Sequence, residues 1–249
     1  MSAIEDMQGV DQLQVVCGLP KEICPGLTVR SPLVGDIVKL GEQRYASMVE
    51  ALTATPSDLI AQLDKMGIDW ETIEDFELFC LLCRALPLEE TSVLFGDVDF
   101  RLFEIVPFPG ERRCVLKHME KDIVLDELGY QRMIAYLCAL HGIRRKRRRA
   151  GNAMTKKIMI EMAYEDLEAA ARKPKESALL PLLSTLTNMA GFKYNWQEVM
   201  AIPYAQLIDA AGRVQIIQSS LALLNGCYSG NIDTSKVDKN ELNYMRAKL

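Results

Sequence analysis

Histidine is nearly missing from this sequence, and with it much of the usual catalytic and metal-binding hardware. Only His118 and His141 occur among 249 residues, and neither sits in a ligand pattern. Cys80 and Cys83 form the one C-x-x-C pair, but a structural zinc site needs a second pair of thiolate or imidazole ligands at compatible spacing, so these thiols are expected in the core. Also missing are G-x-x-x-x-G-K-[ST], G-x-G-x-x-G after a strand, G-x-S-x-G and H-E-x-x-H, the common phosphate, hydrolase and protease signatures. A Cys–His pair drawn from Cys114, Cys138, His118 and His141 is formally open, though sequence proximity says nothing about catalytic geometry. The expectation is a protein that is not an enzyme, with no catalytic residue, no metal and no cofactor.

Two further absences concern compartment. No uninterrupted apolar stretch approaches the roughly 18 residues of a membrane span. Met1-Ser2-Ala3-Ile4-Glu5-Asp6 carries acids where a secretory signal has cations ahead of an apolar core. The 7 cysteines are an odd number, and several lie in apolar segments such as Phe79-Cys80-Leu81-Leu82-Cys83. They read as small buried hydrophobes in a reducing compartment, and a cytoplasmic location follows.

What is present is a chain with 49% hydrophobic and 25% charged residues, enough for one large domain or two small ones. Its charge is uneven: residues 1–130 sum to −13 and residues 131–249 to +8, for a net −5. Much of the positive half is one block, Arg144-Arg145-Lys146-Arg147-Arg148-Arg149, with Lys156 and Lys157 nearby. A block of like charge repels itself and attracts an acidic partner. Three roles are open: a phosphate-binding patch, a docking site for an acidic protein, or a face paired internally with the acidic N-terminal half. Nucleic acid would favour interleaved aromatics or polar base readers. The block has neither, so an acidic protein surface is the favoured partner.

Periodicity and punctuation predict a mainly α protein with a small antiparallel β meander (α+β) and a helical C-terminal half. The first dozen residues are polar, and Val15-Val16 and Leu27-Thr28-Val29 are strand candidates for an N-terminal hairpin, with turn signals at Gly18, Pro20, Pro25 and Gly26. Ser31-Pro32 reads as the start of one helix that continues past Gly41 to Val49, and Thr55-Pro56-Ser57-Asp58 as the start of a second, with Leu59, Ile60, Leu63 and Met66 as its buried stripe. Glu71, Glu74, Asp75 and Glu77 open a third, which Pro87 stops. Between 100 and 125, short β-rich runs at 103–106, 114–116 and 123–125 form the meander, with a turn at Pro107-Phe108-Pro109-Gly110. Gly96 and the aspartates of Asp97-Val98-Asp99 are turn formers, although paired carboxylates are also metal ligands.

A helix from Leu128 then ends near Gly142, where the cations could cap its negative end. Further helices are predicted at 154–171, 179–189, after Asn195-Trp196-Gln197-Glu198, and at 204–224 before Gly226. The leucines Leu179, Leu180, Leu182, Leu183 and Leu186 form either core or an apolar anchor for a partner. The implied organisation is a tail and strand at 1–25, an α+β domain at 26–142, a basic linker at 143–153, a helical region at 154–228 and a C-terminal tail at 229–249.

The order of segments from about residue 25 to 245 resembles tail-assembly chaperones and related accessory proteins from the tail modules of long-tailed bacteriophages and prophages. The residues that carry the likeness are Leu27-Thr28-Val29-Arg30-Ser31-Pro32, Gly35-Asp36-Ile37-Val38-Lys39-Leu40-Gly41-Glu42, Asp75-Phe76-Glu77-Leu78-Phe79, Leu94-Phe95-Gly96-Asp97 and Gly191-Phe192-Lys193-Tyr194. The resemblance implies a protein that binds other tail proteins in the bacterial cytoplasm: the tape measure before tube polymerisation, or tail-tube and baseplate components. A structural component retained in the virion is the alternative, and a nucleic-acid-binding protein using Arg144–Arg149 is another.

Overall fold

The computed structural model describes residues 10–107, 114–174 and 176–247. It is 57% helix and 9% strand, in two small antiparallel sheets, so the α+β class with helices dominant is correct. Residues 1–9, Phe108, Pro109 and Gly110 of the expected turn, and residues 248–249 lie outside the described residues.

Local chemistry explains where the elements start, and where the expected ones shift. Asp11 caps α1 (Gln12–Val16) by accepting the Leu13 N–H at 2.9 Å, so Val15 and Val16 are helical rather than extended. A capped turn outcompetes a strand only two residues long. The hairpin lies one segment later: β1 (Lys21–Cys24) and β2 (Leu27–Val29) pair around Pro25-Gly26.

The single helix expected after Ser31-Pro32 is two, α2 (Val34–Leu40) and α3 (Glu42–Thr53), broken at Gly41 with φ +96°. Only glycine takes that conformation without strain. Ser31 does not cap α2; Leu33 occupies that position and donates its N–H to the Asp36 carboxylate at 3.3 Å. Pro32 and Val34 instead bind the far end of the chain, through Tyr204 N–H to Pro32 O and Val34 N–H to Ile202 O.

Thr55 opens a 3₁₀ turn (Pro56–Asp58) ahead of α4 (Ile60–Lys65). In the expected stripe Ile60 and Leu63 are buried, but Met66 is exposed. The acids start α5 (Asp75–Leu82) as expected, with Glu77 accepting the Glu74 N–H. Pro87 both ends that region and caps α6 (Leu88–Phe95), a helix the sequence pattern does not announce.

The meander is β3 (Phe103–Pro107), β4 (Cys114–His118) and β5 (Val124–Leu125), in the order β3-β4-β5. Then come α7 (Glu127–His141), stopped by left-handed Gly142, and α8 (Ala153–Arg172), capped by Asn152. The chain finishes with α9 (Leu179–Thr187), α10 (Trp196–Val199) in its Asn195/Glu198 capping box, and α11 (Tyr204–Tyr228). Gly226 does not stop α11. It leaves room for Ile232 of the returning tail, which packs where a side chain would stand.

The expected segment boundaries do not divide the core. One cluster joins Val15, Ile23 and Leu27 to Phe79, Phe100, Leu137, Leu183 and Leu207, so the described part of the N-terminal segment, residues 10–25, and much of 154–228 pack with the α+β region. A satellite core of Ile60, Leu63, Trp70, Ile73 and Leu78 is covered by Met159, Ile160 and Ala163 of α8. Helix α5 serves both: Phe76, Phe79 and Cys80 face the main core, Leu78 the satellite.

Candidate functional site

Residues 143–153 are a strap rather than a free linker. From Ile143 to Ala150 the chain forms neither helix nor strand, and as far as Arg148 its burial alternates as in an extended segment: Ile143, Arg145 and Arg147 lie partly buried, Arg144, Lys146 and Arg148 exposed, and Arg149 is exposed as well. An extended backbone sends successive side chains to opposite faces, so the strap splits its cations into two sets.

The inward set is neutralised by the acidic half of the chain. Arg145 donates to the carbonyls of Thr53 (2.9 Å) and Ala54 (3.1 Å) and to Asp75 (2.8 Å). Thr53 and Ala54 end α3, so a cation does cap a helix terminus, but of α3 rather than α7; α7 is closed by Gly142 and Ile143 N–H groups returning to Cys138 O. Arg147 reaches Glu74 (2.9 Å) and the carbonyls of Glu71 and Ile73. Arg148, although exposed, donates its backbone N–H to Ser57 Oγ and its guanidinium to Ser57 O. Ala150 N–H binds Glu71, and Lys156 binds Asp69 (2.6 Å) and Glu71 (3.1 Å). Hydrogen bonding from Lys156 holds the Asp69 carboxyl below its ordinary value, and the Ala150 N–H does the same for Glu71. Arg144, Lys146, Arg149 and Lys157 have no side-chain partner among the described residues.

Beside the strap lies a cleft of about 1210 Å³. Its walls are α3 (Tyr45, Val49), the start of α9 (Leu179, Leu182) and the start of α11 (Tyr204, Ile208); Arg144, Lys146 and Arg148 line it from the strap, and Glu42, Glu50 and Asp58 line it as well. Glu42 at the start of α3 holds the far wall in place by accepting Ala178 N–H, Leu179 N–H and Ser177 Oγ–H at the start of α9. Burial pushes the Glu42 carboxyl up, and these hydrogen bonds more than offset it, leaving it below its ordinary value. Of the leucine stripe, Leu179, Leu183 and Leu186 are buried, Leu182 faces the cleft and Leu180 is exposed.

At the cleft's inner end Tyr45 O–H donates to His141 Nε2, and His141 Nδ1–H donates to Leu137 O at 2.7 Å. Because a carbonyl only accepts, Nδ1 carries a proton, and burial keeps the ring neutral, so that Nε2 is left to accept from Tyr45. Burial lowers the His141 pKa to about 4 and raises that of Tyr45. His118 uses Nδ1 to accept the Glu120 and Lys121 N–H groups in the turn after β4. The acceptor nitrogen of each imidazole is thus engaged, and none of the four Cys–His combinations pairs a thiol with a free one. Burial pushes up the Cys80 and Cys83 thiols, Cys83 to about 12, and no cluster of three His, Cys, Asp or Glu among the described residues could hold a metal ion. Asp97 pairs with Lys121 and Asp99 with Arg101, both as turn residues. Among the described residues no helix is long and apolar enough to cross a membrane.

Fold and site define an α+β protein with an open, largely apolar cleft to which the strap contributes Arg144, Lys146 and Arg148. Comparison with family models, curated proteins and solved structures returns no match.

Proposed function

We propose that this protein is a non-enzymatic assembly factor of a long-tailed bacteriophage tail, acting in the host cytoplasm to hold a helical segment of another tail protein, the tape measure foremost. The observation that carries this reading is the cleft. An α-helix with its side chains is about 10–12 Å across and rises about 1.5 Å per residue, so the cleft takes roughly two turns of one. Apolar walls suit the anchors of an amphipathic helix, and the cations of the strap select acidic residues on its solvent side while suppressing basic competitors. The resemblance over residues 25–245 supplies the biological setting.

Co-expression with the tape-measure, tail-tube and baseplate proteins tests it. A tail protein should co-purify with the wild type and be lost with Arg144→Glu/Lys146→Glu, whose side chains make no hydrogen bond or ion pair among the described residues. Failure of every tail protein to co-purify would sink the reading. Mass spectrometry of purified particles separates the alternatives, since an assembly factor leaves the particle and a structural component stays in stoichiometric amount. Salt-sensitive binding of DNA or RNA, abolished by the same substitutions, would favour a nucleic-acid role instead.

A further inference from the structure

Helix α8 presents a second surface that the cleft does not use. Its residues Met159, Ile160 and Ala163 cover the satellite core, yet Met154, Ile158 and Met162 are 67%, 43% and 56% exposed. These three stand at i, i+4 and i+8 and form one apolar row. Alongside runs a charged row, Lys157, Glu161 and Glu165, all exposed and without partners among the described residues.

Part of the charge on α8 is matched within the chain: Lys156 binds Asp69 and Glu71, and Glu168 pairs with Arg172 in the last turn. Lys157 near the start of the helix and Glu161 and Glu165 further along it are left unmatched among the described residues. Lys157 precedes Glu161 by one turn, the less favourable order for an i,i+4 pair, and the two make no ion pair. Local helix stability does not explain this layout. Antiparallel contact with an identical helix does, because each basic start then lies beside an acidic end, and a two-fold axis makes the pattern self-complementary.

We propose that the protein self-associates through α8, packing antiparallel with α8 of a second copy. Ile158 and Met162 of each chain meet across the axis, and Lys157 of each faces Glu161 and Glu165 of the other. Both methionines are flexible enough to fill an irregular seam.

Charge reversal tests this by sedimentation velocity over a concentration series. The wild type should dimerise, and Lys157→Glu alone or Glu161→Lys/Glu165→Lys alone should weaken dimerisation by roughly tenfold. Mixing those two variants should restore a dimer containing one chain of each. All three positions are exposed, and unchanged circular dichroism verifies the fold of each variant. A wild type that stays monomeric at all concentrations, or a dimer indifferent to charge reversal, overturns the proposal. Because the cleft is untouched, loss of the dimer with tail-protein binding retained leaves the assembly-factor reading standing.

Discussion

Individual cations of the strap differ in role although their sequence does not distinguish them. Arg145 closes the C-terminal end of α3 and pairs with Asp75, so Arg145→Met should destabilise the protein by about 2–4 kcal/mol, through two orphaned carbonyls and a carboxylate left with only Arg147 at 3.6 Å. Arg149→Ser should change stability by less than about 0.5 kcal/mol, as expected of a solvated side chain. Chemical denaturation of the two variants measures the contrast, and equal effects would contradict the division into internally paired and solvated cations. The sequence made the acidic Glu71–Glu77 segment and the basic block separately legible, including their possible internal pairing. Which cations face inward could not be read, because that depends on the extended backbone after Gly142. Lys157, grouped with Lys156 by sequence, parts from it by pointing away from Asp69 and Glu71.

His141 carries a prediction in pH. Its pKa is lowered from 6.5 to about 4 by burial, so between these values the unfolded chain binds the proton more readily. The stability His141 contributes is complete above pH 6.5, declines as pH falls and is gone below about 4, a loss of about 2–3 kcal/mol. Thermal melts across this range should show the decline in the wild type, and His141→Phe should flatten it, whatever its own baseline. An unchanged slope in that variant would rule out His141 as the source. The pair it forms with Tyr45 was not visible in sequence, since the partners lie 96 positions apart.

Elements were legible where their punctuation is local. Asn195 and Glu198, Gly142 and the Pro25-Gly26 turn each act within one turn of the chain, and the structure keeps all of them. Elements were misread where the decisive neighbour is distant or the signal has two meanings. Pro87 stops one helix and caps the next, so α6 passed unseen. Gly41 looked like a tolerated interruption, yet it is the corner at which α2 and α3 part. Since nothing lies within 4 Å of a side chain added there, Gly41→Ala tests conformation alone. It should cost about 1–2 kcal/mol from the left-handed backbone, measured by urea denaturation; a neutral result would mean the corner relaxes into a continuous helix.

At the scale of the whole molecule, the strap joins two cores. Ile143 at its start packs on the main core and Ala150 at its end on the satellite, while between them Arg147 gathers Glu74, Ile73 O and Glu71 O from the segment that encloses Trp70. Trp70 is 1% exposed, so its emission reports the satellite, and Trp196→Phe removes the other tryptophan. In that background, Trp70 emission and far-UV ellipticity should share one urea midpoint, because α5 and the strap bind the cores into a single cooperative unit. Arg147→Ala weakens the strap's hold on the satellite loop to the Ala150 contacts and leaves α5 intact. Sub-global opening then becomes easier than global unfolding, and the Trp70 midpoint should fall below that of ellipticity. If the two midpoints stay together, α5 alone couples the cores, and the inward cations serve only to neutralise the acidic segment. If they separate, the strap that lines the cleft also sets the stability of the platform carrying α8, and a partner gripping its outward cations would stiffen both.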